Sequence, residues 1–417
     1  MSMKRSIQRF TGIAILTLLL VVLAACGNSN EPSGEGAANA EAGQNTVTTQ
    51  AGQDDSFSHP MWYKAPTEQE LEMAKADNIS DVLLSTGPNG EPAFPASDIV
   101  ITDEQKEQIK AGGFRAAIAM SAMNNDWATQ QVAGMQDTFK ELGIEVISVT
   151  DANFKDAEQI AQIESISAQK PDVLVAAAVN TQTTTQVFKK VADAGIKIVF
   201  VDQPVTGLVP GEDYVSVVSA DNFGNGMVAA DELAKALDGK GTVGAIYFAP
   251  DFFVTNQRYQ GFVTRLQAKY PDIELITTQG FNDQNQTESI AGALLTKYKD
   301  IDSMWVAWSD PPAMGVVSAA RTAGRTPADF KIVTEDLNTG PALDIAQNSY
   351  IKGLGAQRPY DQGVAEAQMA ALSLIGASTE TYVAVPALAV NRDNLAEAYE
   401  TIFHKPVPDN ILEALGE

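Results

Sequence analysis

Short polar and aromatic side chains recur in this sequence near the ends of apolar runs. The candidate ligand contacts among them are Asn125, Trp127, Asn180, Asp202, Gln203, Arg258, Phe281, Trp308, Ser309, Asp336 and Gln357. A sugar offers hydroxyl groups that both donate and accept hydrogen bonds, together with apolar C–H faces. Carboxylates accept from two hydroxyls, Arg and amides supply the complementary groups, and a flat ring covers a C–H face. The pattern predicts a site for a small polyhydroxylated molecule.

Several of these residues have a purely structural alternative. Asp202 could cap a turn, Trp127 could pack in a core as it opens a helix, and Arg258 could pair with a surface acid. Asp202 follows five apolar residues, which favours ligand contact. Trp305 and Trp308 alternate on one predicted strand, so only one of them can face a cleft. We choose Trp308, which is nearer the strand end.

The number and positions of the histidine and cysteine residues argue against catalysis. The two histidines are His59 and His404, and neither follows a predicted core strand. No Ser-His or Cys-His arrangement and no histidine metal cluster is therefore expected. Paired carboxylates such as Asp202 and Asp336 could still hydrolyse a glycoside at a suitable separation. We expect a protein that is not an enzyme, with no cofactor and no metal.

Two further motifs are better explained by local structure. Residues 224–229, GNGMVA, match a dinucleotide-binding pattern, but no acid ends the next predicted strand. Close helix packing explains these glycines as well. Residues 151–156, DANFKD, begin like a calcium loop but lack the required Gly and the closing Glu, so a capped turn is favoured.

From Phe114 onward, apolar runs alternate with segments of helical periodicity. Runs that are apolar on both faces are typical of parallel sheets covered by helices, and strand-helix repetition predicts right-handed βαβ units. In such sheets, ligands bind at the carboxyl ends of the strands. We predict an α/β fold with two doubly wound parallel-sheet lobes. The predicted strands are 116–120, 146–149, 173–179, 196–201, 215–219, 243–248, 273–277, 304–308, 332–334 and 351–354.

Five short motifs occur in a fixed order between Phe114 and about Asp393. They are MNNDW at 123–127, VDQ at 201–203, SADN at 219–222, NQRYQGF at 256–262 and AQ at 356–357. In this order they resemble the type I periplasmic binding-protein family and, within it, the ribose-binding-like group. The resemblance implies two lobes joined by a multi-crossing hinge. It places against the ligand Asn125, Trp127, Asp202, Arg258, Ser309, Asp336 and Gln357.

Three positions depart from that family's pattern. Gln203 stands where its sugar binders commonly have Arg, Ala128 where a second aromatic often lies, and Ser309 where Asn is usual. The departures imply a less cationic cleft in which rings stack mainly from one side. Ribose itself is therefore not assumed as the ligand.

Residues 1–25 are predicted to be a lipoprotein signal peptide. A short basic start is followed by an apolar run at 12–23, which is too short for an ordinary membrane-spanning helix. The tetrapeptide LAAC at 23–26 resembles a bacterial lipobox, which implies cleavage after residue 25 and lipidation of Cys26. Two acyl chains anchor a protein stably. We expect an extracytoplasmic lipoprotein attached to the cell membrane.

The rest of the chain divides into further segments. Residues 26–56 are polar and predict a flexible tether, and 57–113 form an N-terminal extension with short helices. Thr67 with Glu70, and Thr102 with Gln105, match the spacing of a capping box, which predicts the start of each helix. Gly112-Gly113 predicts the end of the second helix. We expect the extension to be dispensable for ligand capture. The predicted domains that follow are 114–220 for the first part of lobe 1, 221–357 for lobe 2, and 358–417 for the return to lobe 1 and the C-terminal segment.

The charge balance limits the partners. The formal net charge is −25, which makes nucleic acid an improbable partner. The expected partners are a small-molecule ligand (a sugar or polyol), the transmembrane subunits of an ABC permease, and the membrane through the lipid anchor. We expect a monomer. One alternative is a ligand sensor that signals to a membrane kinase or chemoreceptor, and another is a secreted carbohydrate-active enzyme.

Overall fold

A computed structural model describes residues 57–77, 79 and 82–416 of the protein. The predicted signal peptide, the lipidation of Cys26 and the tether fall on residues 1–56 and lie outside the described residues. Within the described residues, no helix has the length and apolar character needed to cross a membrane.

The described chain folds as alternating strands and helices. The strands are β1 (Phe94–Pro95), β2 (Arg115–Met120), β3 (Glu145–Asp151), β4 (Val173–Ala176), β5 (Lys197–Val201), β6 (Ser216–Ala220), β7 (Gly241–Phe248), β8 (Ile273–Phe281), β9 (Ser303–Val306), β10 (Lys331–Glu335), β11 (Ile351–Ala356), β12 (Tyr382–Val385) and β13 (Leu388–Asn391). The helices are α1 (Glu68–Met73), α2 (Asp103–Gly112), α3 (Asp126–Glu141), α4 (Asp156–Ala168), α5 (Thr185–Asp193), α6 (Asn222–Ala236), α7 (Phe253–Lys269), α8 (Thr287–Lys297), α9 (Met314–Thr322), α10 (Thr339–Ala346), α11 (Pro359–Leu374), α12 (Leu395–Phe403) and α13 (Asp409–Leu415).

The strands form two sheets, one in each lobe. The sheet of lobe 1 has the order β1-β12-β6-β5-β4-β2-β3, and all its pairs are parallel. The sheet of lobe 2 has the order β13-β11-β10-β9-β7-β8, parallel except for β13, which runs antiparallel to β11. The predicted fold class is confirmed, and each predicted strand is present. Strands β1, β12 and β13 were not predicted.

Strand β2 shows why the apolar runs lack an alternating pattern. Ala116, Ile118 and Met120 belong to a core that includes α3 and α11, while Ala117 and Ala119 belong to a second core with residues of α4 and α5. All five are fully buried. Because successive side chains point to opposite faces of a sheet, a sheet with helices on both faces needs apolar residues at every position.

Three connections of the described chain, besides the N-terminal extension, join the lobes. Strand β6 of lobe 1 leads through Asp221 into α6 of lobe 2, and β11 of lobe 2 leads through Gln357 into α11, which packs on α3. Strand β12 then leads directly to β13, back in the sheet of lobe 2. Asp221 fastens two of these connections, because its N–H donates to the carbonyl of Val385 at 2.8 Å.

The N-terminal extension packs on both lobes. In lobe 2, the ring of Trp62 lies 5.6 Å from that of Tyr259, and Arg265 Nη1 donates to the carbonyls of Ala74 and Ala76 at 2.6 and 2.7 Å. In lobe 1, β1 pairs with β12 at the edge of the sheet. Both expected capping boxes are present, and Gly113 ends α2 with a φ of 62°.

The extension also reaches the first connection between the lobes. The carboxylate of Asp221 accepts from the N–H groups of Leu84 and Ser85 at 2.9 Å and from Ser85 Oγ at 2.7 Å. Ser85 Oγ in turn accepts from the N–H of Phe223 at 3.0 Å. These buried contacts argue against the expectation that the extension is dispensable for ligand capture.

Candidate ligand-binding site

A cavity of about 210 Å³ lies between the lobes at the carboxyl ends of their strands. It is smaller than the roughly 300 to 1,000 Å³ of pockets for drug-sized ligands, so it suits a small solute. Its lining residues are Asn125, Trp127, Phe154, Asp202, Arg258, Gln284, Trp308, Asp310, Asp336, Leu337, Asn338, Gln357, Pro359 and Ile402.

Asp202 is the first residue after β5 and has a left-handed backbone with a φ of 64°. It is 9% exposed, and its Oδ1 accepts from Ser219 Oγ of the neighbouring strand β6 at 2.8 Å. Burial raises the pKa of the Asp202 carboxyl to about 6; the Ser219 hydrogen bond and the Arg258 charge lower it, and the Asp336 charge raises it. A lobe 1 carboxylate therefore stands at the cavity with one oxygen fixed.

Asp336 holds the corresponding position in lobe 2, directly after β10, with a φ of 65°. Its Oδ2 accepts from Arg258 Nη1 at 2.9 Å, and its Oδ1 accepts from Gln357 Nε2 at 2.8 Å. Gln357 lies on the second connection between the lobes. A side chain of lobe 2 and a side chain of the hinge thus hold this carboxylate in place.

Close packing of α6 on α7 positions Arg258. A Cβ atom at Gly226 would lie 1.9 Å from the carbonyl oxygen of Arg258, and one at Gly261 would lie 2.0 Å from that of Phe223. Only glycine lets the two backbones approach this closely. Arg258 Nε then donates to Asn222 Oδ1 at 3.0 Å. Gly226, which belongs to the dinucleotide-like motif, therefore has a packing role.

The loop after β2 brings two further residues to the cavity. Asn125 Oδ1 accepts from the N–H of Ala128 at 2.9 Å and so caps α3. Trp127 lies in the first turn of that helix, and its Nε1 donates to Gln357 Oε1 at 3.2 Å. This contact links lobe 1 to the hinge residue that binds Asp336.

The two tryptophans near β9 have different surroundings. Trp308 lines the cavity, and its ring lies edge-on to those of Phe248 and Phe281 at centroid distances of 5.4 and 4.9 Å. Trp305 is fully buried, stacks on Phe262 at 5.2 Å and donates from Nε1 to a Glu335 oxygen.

Four of the predicted contacts do not line the cavity. Asn180 accepts from the N–H groups of Gln182 and Thr183 within its own turn, and Gln203 is buried beside Asp202. Phe281 is fully buried because β8 continues to it, four residues beyond the predicted end. Ser309 is also buried and accepts at Oγ from Asn338 Nδ2 at 2.9 Å. Asn338 itself lines the cavity, so Ser309 can act through it.

Several cavity residues were not predicted as contacts. Phe154 is the most conspicuous, since 61% of it is exposed and its φ is 55°. It lies in the turn that resembles a calcium loop, where Asp151 Oδ1 accepts from the N–H of Asn153 at 2.8 Å. A turn residue carries no periodic signal, so its position was not apparent from the sequence. The others are Gln284, Asp310, Leu337, Asn338, Pro359 and Ile402.

The chemistry of the cavity is that of a polar binding site. Carboxylates, an amide donor-acceptor and a guanidinium converge from both lobes beside aromatic rings. Across residues 57–77, 79 and 82–416, no group of three or more Asp, Glu, His or Cys residues could hold a metal ion.

A two-lobed α/β fold with a polar cavity at the strand ends of both lobes is the architecture of solute-binding proteins. Residues 116–378 match the family described as periplasmic binding protein domain. The chain belongs to this family, and the resemblance found in its motifs is confirmed.

Three known proteins similar to this chain are covered over 70% or more of their own length. A Rhizobium meliloti protein named for rhizopine binding is 26% identical, with 67% of this chain and 90% of that protein covered. A D-ribose/D-allose-binding protein of Pseudomonas aeruginosa is 27% identical, with 53% and 70% covered. The crystal structure of an ABC transporter solute-binding protein from Agrobacterium vitis, with bound α-D-tagatopyranose, has a TM-score of 0.62 at 26% identity and covers 70% of this chain and 100% of that one.

Proposed function

We propose that the chain is an extracytoplasmic, lipid-anchored binding protein that captures a small polyhydroxylated solute for an ABC-type importer. The observation that carries the proposal is the presence in one cavity of Asp202 and Asp336, which follow β5 and β10 in different lobes. The names of the similar proteins, which refer to sugars and ABC transport, support it.

Capture follows from the positions of the polar groups. Ligand hydroxyls donate to the carboxylates of Asp202 and Asp336, while the Gln357 amide and the Arg258 guanidinium complete the hydrogen bonds. The rings of Trp127 and Trp308 cover apolar C–H faces. Because these groups belong to both lobes, ligand binding and closure of the lobes are one event. The closed form then docks on the permease.

The same contacts favour binding without hydrolysis. Both oxygens of Asp336 already accept hydrogen bonds, from Arg258 and Gln357. This carboxyl is poorly placed to donate a proton to a leaving group, as one member of a glycosidase pair must. Incubation with oligosaccharides should give no product, and chromatographic detection of a hydrolysed sugar would contradict the proposal.

A thermal-shift screen tests the proposed ligand class. The purified protein is heated with pentoses, hexoses, polyols and purine nucleosides, each in large excess. A ligand at a hundred times its Kd adds about 2.7 kcal/mol to the free energy of unfolding, which raises Tm by several degrees. A panel that leaves Tm unchanged throughout would overturn the proposal.

The anchor is tested by Cys26→Ser. This variant lacks the thiol that the lipobox resemblance assigns to lipidation. We expect it to leave the detergent phase for the aqueous phase in a phase-partitioning assay, or to remain unprocessed. Partitioning equal to that of the wild type would contradict the proposed anchor while leaving solute binding unaffected.

A further inference from the structure

The indole N–H of Trp127, which lines the cavity, has two acceptors. Its Nε1 lies 3.2 Å from Gln357 Oε1 and also 3.2 Å from one atom of the Gln131 side-chain amide, four residues further along α3. The second atom of that amide lies 3.1 Å from Glu366 Oε1. Because an indole N–H can only donate, the atom that faces it is the Gln131 oxygen, and the Gln131 nitrogen donates to Glu366.

The two acceptors of Trp127 belong to different parts of the molecule. Gln357 lies on the second connection between the lobes, whereas Gln131 belongs to the same helix as Trp127. Hinge residues change their backbone conformation when lobes move, so the contact with Gln357 depends on the state of the lobes. Residues four apart on a helix stay neighbours, so the contact with Gln131 does not. Gln131 therefore holds the ring in one orientation while the lobes move.

Close packing of α3 on α11 keeps Gln131 beside Glu366. A Cβ atom at Gly363 would lie 2.1 Å from the carbonyl oxygen of Gln131, and one at Gly134 would lie 2.2 Å from a carbonyl oxygen of α11. Both residues of the pair, Gln131 and Glu366, are fully buried, and neither lines the cavity. The pair lies inside lobe 1 and meets the cavity through Trp127.

The burial of Glu366 is costly. Its Oε2 has no hydrogen-bond partner among the described residues. Burial raises the pKa of the Glu366 carboxyl well above its ordinary value, and the charge of Asp202 raises it further. A buried carboxyl is tolerated best as the neutral acid, which still accepts at Oε1 from the Gln131 amide. An apolar side chain of similar size would avoid the cost, which indicates a use for the Oε1 acceptor.

We propose that Gln131 and Glu366 are positioning residues that orient the Trp127 ring for the solute. Glu366 Oε1 fixes the Gln131 amide, and the Gln131 oxygen fixes the indole N–H. The ring then covers a C–H face of the solute without losing rotational freedom on binding, which favours affinity. The inference rests on the proposed function, because it names what prepares one ligand contact of that same site.

Fluorine NMR in the absence of sugar tests the orientation of the ring. The purified protein is labelled with 5-fluorotryptophan, and the signal that is missing from Trp127→Phe identifies Trp127. Gln131→Met and Glu366→Met should both move this signal, whereas Glu366→Gln, which keeps the acceptor oxygen, should leave it in place. Gln136→Met makes the same change at an exposed position of α3 and should also leave it in place. A Trp127 signal that does not move in Gln131→Met would overturn the inference.

Calorimetry with D-ribose, D-allose and D-galactose tests the effect on binding. For a sugar that binds, Gln131→Met should weaken the affinity by about threefold to tenfold. The same change made in Trp127→Phe, which has no indole N–H, should alter the affinity by less than about twofold. An equal loss in both backgrounds would overturn the inference, because Gln131 would then not act through Trp127.

A double variant replaces Gln131→Met in both measurements if that variant does not fold. Gln131→Met combined with Glu366→Met removes the two buried polar groups together, so neither is left without its partner. Failure of all three sugars to bind would count against the proposed function, while the fluorine signals would still decide the role of Gln131.

Discussion

Asp202 and Asp336 share a left-handed backbone conformation, with φ angles of 64° and 65°, although they lie in different lobes. Each is the first residue after a central strand, and each lines the cavity. A residue with a Cβ atom pays about 1 to 2 kcal/mol for this conformation, and Asp and Asn less than most. The two lobes thus hold their carboxylates at the cavity by the same strained turn.

This strain predicts an unusual order of stability at position 202. Asp202→Gly and Asp202→Ala should both lower ligand affinity by about 30-fold to 1000-fold, because the acceptor of two hydroxyls is lost. The Gly variant should nevertheless be about 1 kcal/mol more stable than the Ala variant, since glycine adopts a positive φ without cost. Urea unfolding of the ligand-free proteins measures the difference.

Asp137, inside α3, provides the control for that comparison. Helical backbone favours Ala over Gly by about 1 kcal/mol, so the order of the two variants should reverse there. Equal stability of the Gly and Ala variants at position 202 would show that the left-handed turn carries no strain.

The raised pKa of Asp202 predicts a dependence of stability on pH. The pKa is about 6 in the folded protein and 3.8 in an exposed Asp, so the folded state binds this proton more tightly than the unfolded chain. Between about pH 4 and pH 6 the free energy of unfolding therefore falls as pH rises, by about 3 kcal/mol from this group. Asp202→Asn removes the contribution, so its stability relative to the wild type should increase over that range and stay constant above pH 7.

The groups around Asp202 also affect the dependence of stability on pH. The charges of Arg258 and Asp336 act on it, and its own charge adds to the burial that raises the pKa of Glu366. All three remain in Asp202→Asn, but the loss of the charge at residue 202 lowers the pKa of Glu366, so the difference curve reports on residue 202 together with this coupling. Ser219→Ala removes the hydrogen bond that lowers the pKa and should extend the decline to higher pH. A difference curve that is flat between pH 4 and pH 7 would contradict the assignment.

The pair of Asp336 with Arg258 predicts a stability cost separate from the loss of binding. Asp336→Ala leaves a guanidinium that is nearly buried without its partner, which should lower the free energy of unfolding by about 3 kcal/mol. Adding Arg258→Met removes the unpaired charge and should restore most of that stability without restoring binding. Asp193→Ala, which breaks an exposed pair with Lys189, should cost less than about 1 kcal/mol. Chemical denaturation measures the free energy of unfolding of each variant. If Asp336→Ala and Asp193→Ala lower it by a similar amount, the buried pair is not the cause.

The contacts of the extension predict that its removal is harmful. Ser85→Ala loses the hydrogen bond to Asp221 and the one from Phe223, and it should lower the free energy of unfolding by about 2 kcal/mol. Ser97→Ala, at an exposed position of the same segment, should change it by less than about 0.5 kcal/mol. A chain that begins at Gly112 should be less stable than Ser85→Ala and should bind ligand more weakly. Unchanged melting and binding of the shortened chain would show that the segment is dispensable after all.

The parts of the fold that could be predicted are those with a strong apolar pattern. Strands β2, β4, β5, β6, β9 and β10 are almost wholly buried on two faces, so their composition identifies them. Strand β12 is equally buried but was not predicted. Strand β1 has only two residues and β13 is only partly buried, so neither stands out from its surroundings. The extension is attached chiefly through backbone groups that meet Asp221 and Arg265, and such contacts leave no pattern in the sequence.

The candidate site likewise contains residues that the sequence predicts and residues that it does not. Asp202, Arg258, Asp336 and Gln357 were predictable because they lie near strand ends in recognisable motifs. Phe281 was expected at the cavity because β8 was predicted to end earlier, whereas the strand continues and turns this ring into the core. Phe154 lies in a turn and Asp310 in the kinked helical segment Ser309–Ala313, and only the assembled lobes reveal which side chains meet there.

The pairing of β1 with β12 has a consequence for the order in which the molecule assembles. Phe94 pairs with Val383, and the whole of the lobe 2 sheet except β13 lies between them in the chain. Contacts between such distant residues form late and slowly, because a very long loop must close before they are gained. Lobe 2 can therefore collapse around its own neighbouring strands while the edge of the lobe 1 sheet is still open. Ligand capture should thus become possible only at the last stage of folding, when β12 joins both its sheet and the extension.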